Sequence, residues 1–176
     1  MAIDRRKTIR GALAGALAAS VWAAQMPLDK RLLRSDFDDV ELLGKALTRG
    51  PAWPLAGWAL HLQNGALFGA LYANLAPRAP LPSWARGPAA ALVENFATWP
   101  LVMITDRLHP ARAELPRAGA SPRALAQSTW RHLLFGVLLG ELERRLNAVN
   151  DAEVPDYAQI VASNGHGRLE HLAVTG

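Results

Sequence analysis

The chain contains no cysteine, two tyrosines and four phenylalanines, and only 19% of its residues are charged. Without cysteine there are no disulfides, no thiolate metal sites and no thiol nucleophile. A Gly-rich phosphate loop, an HExxH helix, a GxSxG elbow and a nucleophile paired with a nearby base are also missing, so nothing motivates an enzyme. Ser20, Ser128 and Thr129 read as ordinary helix-face hydroxyls. What is abundant is apolar sequence: 51% of 176 residues, carried by Ala and Leu rather than Val and Ile, which favours helix over sheet. Mean hydropathy is only +0.05, because Ala and Gly weigh little and the charges gather in connectors between apolar runs. The length suits one domain or one small membrane bundle.

The net charge of +4 raises the question of nucleic acid. The arginines flank apolar segments, where such residues anchor helix ends to anionic lipid, and no basic helix alternates with stacking aromatics. The lipid bilayer is therefore the expected partner, and nucleic acid is not.

The chain is organised around residues 61–75, HLQNGALFGALYANL, which recur as HLLFGVLLGELERRL at 132–146. An offset of 71 superposes His61 on His132, Gly65 on Gly136, Gly69 on Gly140 and Pro51 on Pro122. A second echo, at an offset of 77, places Trp22, Met26, Asp29 and Lys30 on Trp99, Met103, Asp106 and Arg107. These repeats predict an all-α bundle of four transmembrane helices, about 8–28, 51–75, 84–106 and 122–146, built as two tandem two-helix repeats. A membrane domain over 1–147 and an exposed polar tail over 148–176, carrying His166 and His171, complete the expected organisation.

The uncharged run 11–28 behind a basic start also fits a cleaved signal, even a twin-arginine one. Its echo later in the chain favours a first membrane helix, since about 18 apolar residues approach the ~20 that cross the hydrocarbon. Ser35 with Asp36, Asp38 and Asp39 supplies a helix start for Phe37, Val40, Leu43 and Leu47 at helical spacing, read as a short amphipathic helix at the interface. Gly50-Pro51 and Ser121-Pro122 open the second and fourth spans. The rival architecture is a soluble helical bundle.

Inside the spans, Gly65/Gly69 and Gly136/Gly140 form small-xxx-small stripes for close helix approach. His61, Gln63, Asn64, Glu94, Asn95, Arg131 and His132 form the candidate polar cluster; the histidines lie ~15 Å from their starting prolines, near mid-bilayer. Three readings compete: a structural cluster tying helices together, a titratable His/Glu site for a proton, ion or small polar substrate, and haem or metal ligation by His61 and His132. No cofactor is predicted; ligation by two histidines without a carboxylate triad, beside Arg131, is thin.

The basic start, the GALAG opening, the MPLDKRL exit and the HLQNGALFGALY helix resemble the uncharacterised small four-span integral membrane proteins of high-GC bacteria, over residues 7–147. The resemblance implies a location, a multi-pass protein of the bacterial plasma membrane, and no catalytic residues. Arginine placement, with the N-terminal cluster, Arg78, Arg86 and Arg144-Arg145 on one side, favours cytoplasmic termini. Four helices are few for a transporter, which points to a homo-oligomer or an accessory role beside a larger membrane partner.

Overall fold

The structure is a computed structural model that describes residues 4–148. The polar tail with His166 and His171 lies outside the described residues from 149 onward. The described residues are all-α and contain no strand. Five helices follow one another: α1 (Arg5–Leu33), α2 (Asp39–Leu47), α3 (Trp53–Leu75), α4 (Ser83–Leu108) and α5 (Pro122–Ala148), with a single 3-10 turn at Ala76–Arg78.

Local chemistry sets the helix ends. Asp4 caps α1 by accepting from the Arg6 and Lys7 amides, and Arg34 closes it in the left-handed conformation at φ 50°. α1 runs through Pro27 and carries Asp29 and Lys30 inside the helix, where the charge pattern alone suggests an exit into a connector. Asp38, rather than Ser35, caps α2, its Oδ1 accepting the Glu41 amide at 2.9 Å. α3 begins at Trp53 with Pro54 in its first turn, so Pro51 stays outside. The Ser121-Pro122 start holds: Ser121 Oγ accepts the Ala124 amide at 3.3 Å. α4 is continuous through Pro88 and Pro100.

Glycine contacts fix how the long helices pair. A Cβ on Gly15 would stand 2.0 Å from the Gly65 carbonyl oxygen, and one on Gly69 would stand 2.1 Å from that of Gly11, so α1 and α3 touch backbone to backbone. On α4 and α5 a Cβ on Gly87 would lie 2.1 Å from the Gly136 oxygen. Such approaches replace bulky interdigitation with dispersion and weak Cα–H···O contacts. At one end Thr8 accepts from Asn74 at 2.9 Å, joining the start of α1 to the end of α3.

α2 does not lie with a free apolar face. Val40 and Gly44 are buried on the start of α3, where a Cβ on Gly44 would meet the Trp53 oxygen at 2.1 Å. Leu47, expected on the apolar face, is exposed instead. Lys45 pairs with Glu41 at 2.7 Å and with Glu114 at 3.2 Å, and Arg49 Nε donates to Glu114 at 2.9 Å, tying α2 to the α4–α5 connector. The Arg49 guanidinium, with Lys45 behind it, holds the Glu114 carboxyl below its ordinary range, and Glu41 raises the Lys45 ammonium. The connector is pinned further by Asp106, which accepts from the Ala118 and Gly119 amides, and by His109, whose Nε2 donates to the Leu42 oxygen at 3.0 Å.

The distribution of polarity is unusual. The largest fully buried side chains are Arg131 and Gln127 (0% exposed), Leu139, Asn95 (1%) and Asp29 (2%). Around them the core is mostly alanine: Ala14, Ala18, Ala19, Ala73 and Ala91. Trp22, Met26, Phe37, Tyr72, Phe135 and Leu139 join them inside, while many large apolar side chains are exposed, among them Ile9, Leu13, Leu17 and Val21 on α1, Leu67 and Leu71 on α3 and Val93 and Phe96 on α4. Among the described residues α1 alone is long and apolar enough to cross a membrane by length and composition. The other long helices carry polar residues among their apolar ones, some buried, such as His61, Asn95, Gln127 and Arg131, and some exposed, such as Gln63 and Asn64.

Candidate functional site

Two polar assemblies occupy the interior, and Trp22 touches both. The first is charged. Arg131 on α5 grips Asp29 on α1 with two bonds, Nε to Oδ2 at 2.6 Å and Nη2 to Oδ1 at 2.7 Å, and its Nη1 donates to Asp39 at the start of α2 at 2.7 Å. Gln127 donates to Asp29 Oδ1 and Gln25 to Oδ2, both at 2.6 Å. Planar guanidinium matched to carboxylate in this bidentate way is the strong form of the pair. Arg131 thus belongs to a lock between α1, α2 and α5, and does not join the His/Glu group with which its position beside His132 associated it. Asp29 and Asp39, absent from the candidates named by sequence, are the missed members. The sequence singled out Asp29 only through its recurrence as Asp106; Asp29 binds Arg131 and Gln127 on α5, whereas Asp106 binds the Ala118 and Gly119 amides of the α4–α5 connector.

The second assembly lines a cavity of about 450 Å³ bounded by α3 and α4, with Trp22 on α1, residues 37–43 and α5 completing its walls. His61, Asn64, Glu94, Asn95 and His132 all border it. Gln63 does not, and is exposed on the outer face of α3. Asn95 is saturated: Ser128 donates to its oxygen at 2.7 Å and its amide donates to Thr129 at 3.2 Å. His132 Nε2 meets Glu94 Oε2 at 2.7 Å, while its Nδ1 faces the Ser128 carbonyl oxygen at the same distance. His61 Nε2 donates to the Ala19 oxygen at 3.1 Å.

The histidines approach the same place without touching. Both stack edge-on against Trp22, with ring centroids 5.3 Å from it for His61 and 4.6 Å for His132. The Trp22 indole, anchored by its N–H on Asp39 at 3.2 Å, touches both. Both nitrogens of His132 face protein oxygens and His61 Nε2 is engaged by the Ala19 oxygen, so in this arrangement ligation through His132 or through Nε2 of His61 would first break those contacts. Among the described residues no group of three or more His, Asp or Glu is placed to hold a metal ion.

The glycines serve the helix contacts, and Gly65 also borders the cavity. Gly65 and Gly69 meet Gly15 and Gly11, and Gly136 and Gly140 meet Gly87, so they set helix separation and leave the cavity its width. Comparison with known protein families, curated proteins and solved structures finds no match for this chain.

Proposed function

We propose that the chain is a small integral membrane protein in which α1, α3, α4 and α5 cross the bilayer, built from two tandem two-helix repeats, α1 with α3 and α4 with α5. The observation that carries this is the distribution of polarity: many leucines and valines are exposed, while hydrogen-bonded Arg131, Gln127, Asn95 and Asp29 are the largest fully buried side chains beside Leu139, amid much alanine and glycine. A soluble protein is driven to fold by burying large apolar side chains, whereas a chain in lipid gains nothing by hiding them and must satisfy its polar groups internally. The repeat is supported by glycine contacts of the same kind within each proposed half, Gly15 against Gly65 and Gly87 against Gly136, which match α1 to α4 at an offset of 72 rather than at the 77 of the tryptophan echo. Placing the start of α1, the end of α3 and the basic residues Arg5, Arg6, Lys7, Arg78 and Arg86 together favours a bacterial plasma membrane with both termini in the cytoplasm.

On this reading the protein is structural or accessory, its polar interior locking the helices in register. Gln63, exposed among outward leucines of α3, supports a homo-oligomer or a larger membrane partner, because a carboxamide in lipid is stabilised by a neighbouring helix. The cavity favours a second reading, a small transporter or channel-like protein using the Glu94–His132 pair, since that pair borders an open space of about 450 Å³ between α3 and α4.

The native chain has no cysteine, so single thiols report topology cleanly. In intact cells a membrane-impermeant maleimide is expected to label cysteine placed at Asp36 or Ala113 and to reach Pro80→Cys only after permeabilisation. Labelling of all three sites in a soluble fraction, or equal labelling of Pro80→Cys before and after permeabilisation, contradicts the reading.

A further inference from the structure

We propose that the cavity between α3 and α4 binds a lipophilic organic cation, a quaternary or protonated amine on a compact apolar body, in exchange for the proton held by Glu94 and His132. The inference deepens the transport-like reading of the same site and rests on it only for the route of entry, from the side, between α3 and α4.

The walls choose the charge. Five aromatic rings border the cavity, Trp22, Phe37, Phe68, Trp99 and Phe135, together with two carboxylates, Asp39 and Glu94, and neither Lys nor Arg. The Arg131 guanidinium pairs with Asp29 and Asp39 and lies over the Phe37 ring at 6.0 Å, so Glu94 is the carboxylate left to a ligand. An anion entering here meets that carboxyl group, and a neutral molecule uses only the apolar surface. A cation gains the aromatic lining of Trp22, Phe68, Trp99 and Phe135 and the Glu94 carboxylate together, the combination by which aromatic cages hold quaternary ammonium groups. The volume of about 450 Å³ falls in the range of small-molecule sites. Asn64 is exposed, and the Glu94 side chain is 39% exposed, so both stand at the opening.

The hydrogen bonds supply the exchange. His132 Nδ1 faces a carbonyl oxygen, which only accepts, so that nitrogen carries its hydrogen. The 2.7 Å contact between Nε2 and Glu94 Oε2 then holds one further proton, and the pair is neutral as a whole. When a cation settles against Glu94, that proton leaves to water; a carboxylate, a neutral imidazole and the bound cation remain, again neutral as a whole. The groups facing Glu94 from other elements are His132 on α5, His61 on α3 and Asp39 on α2, with Arg131 behind Asp39; the α1 wall offers Ala19 and Trp22, which do not titrate.

The test uses the purified full-length chain in detergent micelles, radiolabelled benzyltrimethylammonium as probe and neopentylbenzene as its uncharged isostere. One site per chain is expected, binding the cation at least ~10-fold more tightly than the isostere, with a pH-indicator dye recording one proton released per cation and affinity rising up to about tenfold per pH unit. Glu94→Gln abolishes proton release and weakens binding; Trp99→Leu weakens binding and keeps the release. Equal affinity for cation and isostere, saturable binding without proton release, or no saturable binding by the monodisperse wild-type chain overturns the proposal. The wild-type comparisons decide even where a variant does not fold, and none of them depends on the cysteine labelling that tests the spanning arrangement.

Discussion

Replacing Arg131 with methionine is expected to destabilise the protein by about 3–5 kcal/mol, the loss that follows when one partner of a buried charge pair is removed and the other stays behind. The magnitude comes from the arithmetic of the site. Arg131 is the single guanidinium bound by both Asp29 and Asp39, and Asp29 is 2% exposed, so the substitution strands a buried carboxylate with only the Gln25 and Gln127 amides to hold it. Asp29→Asn is expected to cost less, because Arg131 keeps Asp39 and an asparagine oxygen still accepts from Gln127. Combining Asp29→Asn with Arg131→Met should recover part of the loss of Arg131→Met alone, the non-additivity of groups in one network. Unfolding of the four proteins in detergent by increasing SDS gives the cycle. An Arg131→Met chain as stable as the parent would remove the lock from this account.

The second large effect is steric. Gly15→Leu should prevent α1 from docking on α3, and even Gly15→Ala should cost about 1–3 kcal/mol or more, the usual range for overpacking. A Cβ there sits 2.0 Å from the Gly65 oxygen and 2.8 Å from its carbonyl carbon, both backbone atoms with no side chain to swing away. Separating the helices by the missing ångström also opens the Gly11–Gly69 contact and shifts His61 off the Ala19 oxygen. By contrast Leu13→Ala, two residues away on the exposed face, should leave stability within about 0.5 kcal/mol. The measurement is the fraction remaining monodisperse after heating in detergent. Equal survival of Gly15→Leu and Leu13→Ala would show that the glycine stripe is not an interface.

These two sites differ in how far the sequence discloses them. The glycine stripe is legible because Gly65 and Gly69, and Gly136 and Gly140, repeat at one helical turn, and small residues at that spacing have one physical use between helices in lipid. Their partners Gly11 and Gly15 share the spacing. The Arg131 lock is not legible in the same way: its ends lie 102 residues apart, and Asp29 follows an apolar run, where a charge ordinarily marks the exit to water. Nothing local shows that the helix continues through Pro27 and carries Asp29 into the protein. Helical geometry could have sorted the polar candidates further. Gln63 is two residues from His61 and Arg131 one from His132, offsets of about 200° and 100° around a helix, so neither shares its neighbour's face. Gln63 accordingly points outward and Arg131 toward Asp29, while His61, Asn64, Glu94, Asn95 and His132 border one cavity. Trp22 stood out only as a member of a repeat; that its ring would meet both histidines depends on the docking of α1 against both α3 and α5, which no single-helix pattern contains.

Composition leaves a soluble bundle and a membrane bundle close together, since mean hydropathy is +0.05 and α1 alone passes a length-and-apolarity test among the described helices. The proposed membrane reading rests on where residues go, with Arg131, Gln127 and Asn95 inside and Leu71 and Val93 outside.

The most direct test is therefore the environment of those outward residues. Spin labels on single cysteines replacing Leu71 (63% exposed) and Val93 (69% exposed), in the chain reconstituted into lipid vesicles, should be relaxed strongly by dissolved oxygen and weakly by a water-soluble nickel chelate, as expected of positions facing hydrocarbon. A label replacing Leu139, which is fully buried, should be shielded from both. Strong relaxation of Leu71 and Val93 labels by the nickel chelate would place those faces in water and contradict the account.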